Sequence, residues 1–244
     1  LEEVGRAIAP VPFHSTMVAA LTIAQDGTEE QKQQVLPKVA SGDSILTWSF
    51  TEQSPKYLPE TIHTGAKKDG DSYVISGTKM FVDNFNVAEK CLVVCRTAPE
   101  SSANEGISVF LVDTASDGIT HSPLVTIAKD KQSKVVFDQV RVPASNMIGV
   151  QDQGWPIVND MLDRGTALLC AQMVGAARKD AELAIEYAKG RVAFGRPIGS
   201  FQSIQHMCAD MTIWVDGGQM LTFEALWRMD QDLPASIEVS QAKS

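Results

Sequence analysis

The stretch Tyr187 to Gln202, YAKGRVAFGRPIGSFQ, constrains the fold of this 244-residue chain more than any other. It joins two long segments of helical period. Before it, apolar or small residues recur from Trp155 through Val158, Leu162, Leu169, Met173 and Ala177 to Ala184, mostly three or four apart. After it, Phe201, Ile204, Met207, Met211, Val215, Leu221 and Ala225 repeat the pattern. Gly195, Pro197 and Gly199 lie between, so the first helix stops there and the second starts near Ser200. A short join makes antiparallel neighbours. Arg191 falls in the last turn of the first helix, where a cation favours the C-terminal dipole.

Ahead of this pair the period changes twice. Residues 1–40 read as helices, the first broken by Pro10 and Pro12. Ser15 to Gln25 forms a second, ending before Gly27. Thr28 with Gln31 has the form of a capping box, and the helix it opens is expected to stop at Pro37. From residue 45 the segments turn short and β-branched: 45–50, 62–66, 72–75, 90–97, 107–112 and 134–137. Turn signals separate them, and no helix intervenes, so an antiparallel sandwich or barrel is expected. The chain therefore reads as α+β: a helical segment over 1–44, a β domain over 45–150 and an antiparallel helix bundle over 151–244.

Composition narrows the partners. A net charge of −9 argues against a nucleic-acid surface and a polybasic membrane patch. No run of eighteen apolar residues is present, so no spanning helix is expected. Cys91, Cys95, Cys170 and Cys208 make no CxxC pair and no zinc spacing, so buried free thiols in a reducing compartment are expected and no metal. The start, LEEVGRAIAP, lacks Met and a signal-peptide pattern and reads as the edge of a fragment.

The junction RVAFGRPIGSFQ resembles the helix-turn-helix junction of the acyl-CoA dehydrogenase family, R-x-x-F-G-x-x-I/L-x-x-F/H/Y-Q. DGDSYVISGTKMFVDN is similar to that family's D-G-x-x-Y/W-x-L/I-x-G-x-K segment, and FDQVRVPASNMIG to its F-x-x-V-x-V-P segment. The order of helices, strands and helices is also the family's. This resemblance implies FAD as cofactor, an acyl-CoA substrate, an electron-transfer flavoprotein as acceptor, and dimers or tetramers, homo- or hetero-oligomeric, with the FAD site shared between subunits. It implies a bacterial cytoplasm or a mitochondrial matrix. Arg191 would reach the FAD pyrophosphate of a neighbouring subunit, with Phe194 and Gln202 beside that flavin nucleotide. In the β domain, W-S-F-T-E-Q-S-P-K-Y stands where the family has an aromatic-x-x-T-E-P-x-x-G-S motif. Trp48, Phe50 and Thr51 would address the isoalloxazine. Phe81 stands where the family places a Trp against the ring, followed by Asp83 and Asn84.

Two departures stand out. Lys56-Tyr57 replaces the motif's Gly-Ser, behind a Pro55 expected to stiffen the loop. Asp83 replaces a Thr that donates to flavin N5, and an ionised carboxylate only accepts. The family's reaction is α,β-dehydrogenation of the thioester, which needs a carboxylate base at the α-carbon. One family position for that base falls on Gly165; the other lies past Ser244. Asp163 is two residues off, about 200° around the helix, so pairing with a neighbour is its simpler role. Three readings stay open: an FAD-dependent acyl-CoA dehydrogenase; a degenerate partner subunit that lends Arg191, Phe194 and Gln202 to its neighbour; and another flavin reaction on this scaffold, such as nitroalkane oxidation or flavin-dependent hydroxylation.

Overall fold

The computed structural model describes residues 1–54 and 56–244, so the expectation for Pro55 lies outside the described residues. The helices are α1 (Glu2–Ala7), α2 (Phe13–Asp26), α3 (Glu29–Ser41), α4 (Trp155–Gly190), α5 (Gln202–Asp230) and α6 (Ser236–Lys243). The strands are β1 (Leu46–Ser49), β2 (Gly65–Asp69), β3 (Ser72–Asp83), β4 (Lys90–Arg96), β5 (Ile107–Asp113), β6 (Ile119–Leu124), β7 (Gln132–Pro143), β8 (Met147–Ile148), β9 (Val192–Ala193) and β10 (Arg196–Pro197). They fall into a sheet unit, Pro12–Leu162, and a helical unit made of Leu1–Val11 with Asp163–Ser244.

In the sheet unit the strand order is β6-β7-β3-β2-β4-β5-β8, with β1 also on β4. The sheet does not close, so the expected barrel is corrected to an open sheet. Nor is it wholly antiparallel: β1 runs parallel to β4, and β2 meets β4 in parallel at Gly65–Arg96. β1 and β4 are separated in sequence by the β2–β3 hairpin and its approach, and a connection that long permits a parallel return. The core is a layer of Tyr73, Ile75, Val93, Phe110, Val112, Val135 and Phe137. Cys91 and Cys95 share one face of β4 inside it as free thiols, and burial pushes both up to about 12.

The capping box of α3 forms as expected: the Gln31 N–H donates to Thr28 Oγ1 at 3.2 Å and the Thr28 N–H to Gln31 Oε1 at 2.9 Å. The buried Gln31 amide also donates to the carbonyls of Ser145 and Met147, at 2.8 and 2.9 Å, tying α3 to the end of the sheet. Pro37 does not end this helix. It lies on the exposed side, where water can take the carbonyl its ring displaces, and the helix runs to Ser41. Gly42, at φ +81°, stops it by donating to Lys38 and Val39.

In the helical unit α4 and α5 pack antiparallel. Ala167 meets Ala225, and Arg178 meets Asp216 and Gln219, so one helix counts up as the other counts down. α6 adds Ala235 and Val239 to the same small core. α1 docks here too. Its Gly5 comes so close that a Cβ would lie 1.8 Å from the Gln172 carbonyl oxygen, and its Arg6 forks onto Glu182 at 2.7 and 2.5 Å.

Candidate functional site

In the sheet unit the candidate residues converge where the chain leaves β1 and runs beside the far end of β3. The Thr51 carbonyl accepts the Met80 N–H at 2.8 Å, and the Thr47 hydroxyl donates to the Asp83 carbonyl. The β3–β7 register slips between Lys79 and Val82, a bulge. That bulge holds Phe81 at φ +54° and leaves its ring 56% exposed. Asn84 follows at φ +53°, its N–H on the Lys131 carbonyl at 2.7 Å and its side chain on Ser15 Oγ at 3.4 Å. Trp48 is half-buried on β1, opposite Leu92. Phe50 is turned inward, stacked on Tyr57 at 5.8 Å and tilted against Trp155 at 6.3 Å, so its side chain packs within the fold.

Asp83 points back into the fold. Its carboxylate accepts from the Gln132 amide, which also donates to Asp130 at 2.8 Å. Burial, reinforced by the Asp130 charge, lifts the Asp83 carboxyl above the usual aspartate range against the pull of His14 and of the Gln132 bond.

Glu52 and Lys79 stand at the E and K of the motifs quoted above, but the residue pattern gave no sign of their burial, because a lysine in a strand or a glutamate in a loop reads as solvent-facing. Lys79 is fully buried, with Nζ 3.1 Å from the Phe50 carbonyl and 2.8 Å from Glu52 Oε1. Glu52 also accepts the N–H groups of His63 and Thr64, at 3.0 Å each. Burial works against ionising Glu52, but Lys79 and the Thr64 bonds outweigh it and hold the carboxyl below the usual range.

In the helical unit the other three candidates cluster at the α4–α5 junction. The junction is a minute hairpin, β9 against β10, with Ala193 opposite Arg196. Its two turn residues, Phe194 and Gly195, have φ of +54° and +78°, as a type I′ turn requires. A glycine suits the second position for its backbone alone, since a Cβ there would meet nothing within 4 Å. The turn lifts Phe194 to 94% exposure, edge-on to Phe201 at 6.1 Å, with the Arg196 guanidinium 4.1 Å from the Phe201 ring centre. Arg191 and Gln202 are both exposed beside it, and Arg191 makes no ion pair among the described residues. Gly165 lies within α4, and Asp163 accepts from the Ser236 hydroxyl of α6 at 2.5 Å.

The same division appears in comparison with known proteins. Models of the acyl-CoA dehydrogenase N-terminal, middle and C-terminal domains match residues 1–43, 47–140 and 152–244. The chain is 32% identical over 233 residues to a short-chain specific acyl-CoA dehydrogenase of Clostridium acetobutylicum, covering 94% of this chain and 61% of that one. It is 30% identical over 249 residues to the mitochondrial short-chain specific enzyme of Mus musculus, covering 100% of this chain and 60% of that one. The structure of butyryl-CoA dehydrogenase from Megasphaera elsdenii superposes with a TM-score of 0.91 at 30% identity, over 99% of this chain and 64% of that one. A helical segment, an open sheet and an antiparallel helix pair are thus the architecture of a flavoprotein dehydrogenase class. The chain belongs to the acyl-CoA dehydrogenase family, and it spans less than two thirds of the length of these relatives.

What suits the flavin of this family is the pair of bare aromatic rings, Phe81 at 56% and Phe194 at 94% exposure; their positive φ is shared by Ile8, Lys129, Gln139, Asp152 and Asp232 and marks no ligand by itself. No helix among the described residues is long and apolar enough to cross a membrane.

Proposed function

We propose that this chain is the larger part of an FAD-dependent acyl-CoA dehydrogenase, divided as 1–44, 45–150 and 151–244. The observation that carries the reading is the pair of exposed aromatics, Phe81 and Phe194, each held at φ +54° in one of the two stretches that match the family's flavin motifs. FAD, when bound, supplies the acceptor for the hydride that leaves the substrate β-carbon. Thr51 orients the ring, next to a Phe50 carbonyl that Lys79 holds inside the fold; Phe81 and Trp48 wall it from water, and Asn84 fixes the strand end. Arg191 holds the pyrophosphate of a neighbouring subunit's FAD, with Gln202 bonded to its flavin nucleotide and Phe194 packed beside it. Gly165 carries no carboxylate, and Asp163 is engaged by Ser236, so the base is proposed to come from elsewhere than α4. The proposed acceptor is an electron-transfer flavoprotein, the assembly a dimer or tetramer, and the compartment a bacterial cytoplasm or mitochondrial matrix.

Asp83 supports a second reading. A carboxylate held by Gln132 replaces a hydroxyl donor at the proposed ring edge, as in a subunit that lends its junction but runs no site of its own. The visible spectrum decides. A flavin band near about 450 nm that bleaches with acyl-CoAs of graded chain length supports the first. A protein that binds no FAD alone, but yields flavin when purified with a partner chain, supports the second.

A further inference from the structure

Lys79 is a buried charge that folding alone does not require. Its ammonium is fully out of water, and removing an ammonium from water is costly unless it is paired and hydrogen-bonded. Buried ion pairs add little to stability over apolar residues of the same volume. What this pair adds is geometry. Lys79 Nζ holds the Phe50 carbonyl at 3.1 Å and the Glu52 carboxylate at 2.8 Å, bracketing Thr51 on both sides. Glu52 is held in turn by the His63 and Thr64 N–H groups at 3.0 Å, so three of the bonds its carboxylate can accept are made within the fold. On its own strand, Lys79 is the last residue in register before the bulge, and the next N–H, from Met80, binds the Thr51 carbonyl at 2.8 Å. Phe81 comes next. One side chain thus links the two segments that carry Thr51 and Phe81.

We propose that Lys79 is a positioning residue for the cofactor site: with Glu52, it fixes the Thr51 main chain against the Met80–Phe81 bulge and so sets the grip on the flavin. This rests on the FAD reading above. A merely structural pair would stabilise the sheet without affecting how tightly the ring is held.

The test is FAD titration, visible circular dichroism of the bound flavin, and thermal melting, on the full chain in its native assembly. If the wild type takes up no FAD, the underlying reading fails, and that is seen before any variant is made. Lys79→Met alone leaves Glu52 buried and unpaired, so melting temperature and FAD affinity should fall together. Lys79→Met with Glu52→Gln removes both charges and leaves an amide oxygen for the Thr64 N–H, while the His63 N–H loses its acceptor. The double variant should regain part of the melting temperature lost by Lys79→Met, yet bind FAD about tenfold or more weakly than wild type and with an altered dichroism. Recovery of both stability and wild-type affinity would overturn the proposal. Should the double variant not fold, Lys79→Arg takes its place. Its wide planar head keeps the charge but not both bonds in the same space. Weakened FAD binding by that variant supports the proposal, and unchanged binding overturns it.

Discussion

Replacing Gly175 with alanine would drive a methyl group into the main chain of α1. A Cβ at that position lies 1.9 Å from the Glu2 carbonyl oxygen, 2.7 Å from its carbon and 3.0 Å from the Arg6 nitrogen. All three neighbours are backbone, so no rotamer can swing away. Ordinary contact begins at 3.4 Å, so α1 must retreat by about 1.5 Å from its present 1.9 Å. The Gln219–Glu2 bonds, at 2.9 and 3.1 Å, would not survive that displacement, and the Arg6 fork on Glu182 would be strained. Overpacking of this kind costs about 1–3 kcal/mol. Alanine returns up to about 1 kcal/mol of helix propensity in α4. The net loss is about 1–2 kcal/mol. Six residues cannot hold a helix alone, so the expected outcome is undocking of α1 rather than collapse of α4 and α5. Hydrogen exchange should show protection lost at the Gly5, Ile8 and Ala9 amides, with a lowered denaturation midpoint. Gly217→Ala is the control: a Cβ there meets nothing within 4 Å, so this change should stabilise by up to about 1 kcal/mol. Unchanged α1 protection and an unchanged midpoint in Gly175→Ala would refute the close-approach argument.

Three further outcomes are expected. Asp83→Asn keeps an acceptor for Gln132 but removes the charge; since the folded-state pKa is raised, the wild-type carboxyl is best tolerated below its ordinary value of 3.8, and the variant's stability advantage should open as pH rises above that, in melting curves taken from pH 4 to 7. Glu52 has the opposite sign: its lowered pKa gives stability above the ordinary value of 4.5 that is lost as pH falls through the folded one, so Glu52→Gln should flatten the acid limb of the melting profile, and an unchanged limb would contradict the pairing. Phe194→Asn suits φ +54° better than phenylalanine does, so it should raise the melting temperature slightly while weakening flavin binding to the assembly; tighter or equal FAD binding would remove Phe194 from the site.

How far the sequence could be read depended on where each residue's signal lies. β4 and β5 were legible within a residue or so because they are apolar on both faces, a run that water cannot tolerate. β6 escaped notice: ITHSPL is exposed along most of its length, contains Pro123, and lies at the sheet edge, where pairing on one side needs no apolar pattern. β3 and β7 run longer than their apolar cores suggest because their bulges interrupt the alternation. In the candidate site, Arg191, Phe194 and Gln202 could be found from motif spacing, but the hairpin that exposes Phe194 is a matter of backbone angle. Trp48, Phe50 and Phe81 looked alike as strand aromatics. Only the fold shows Phe50 packed inward and Phe81 turned out by a bulge. Lys79 and Glu52 carry no periodic signal, since their importance comes from what surrounds them.

The docking of α1 makes the helical unit discontinuous in the chain. Residues 2–7 must find Gln172, Gly175, Glu182 and Gln219 with all of residues 12–162 in between. Closing so long a loop is slow, though lengthening it further costs little. During synthesis α1 leaves the ribosome long before its partners exist, whereas the sheet unit has everything it needs in one uninterrupted run. α1, made before the sheet unit, is therefore among the later elements to settle, and a refolding experiment should find protection at Ile75 and Val93 well before protection at Gly5.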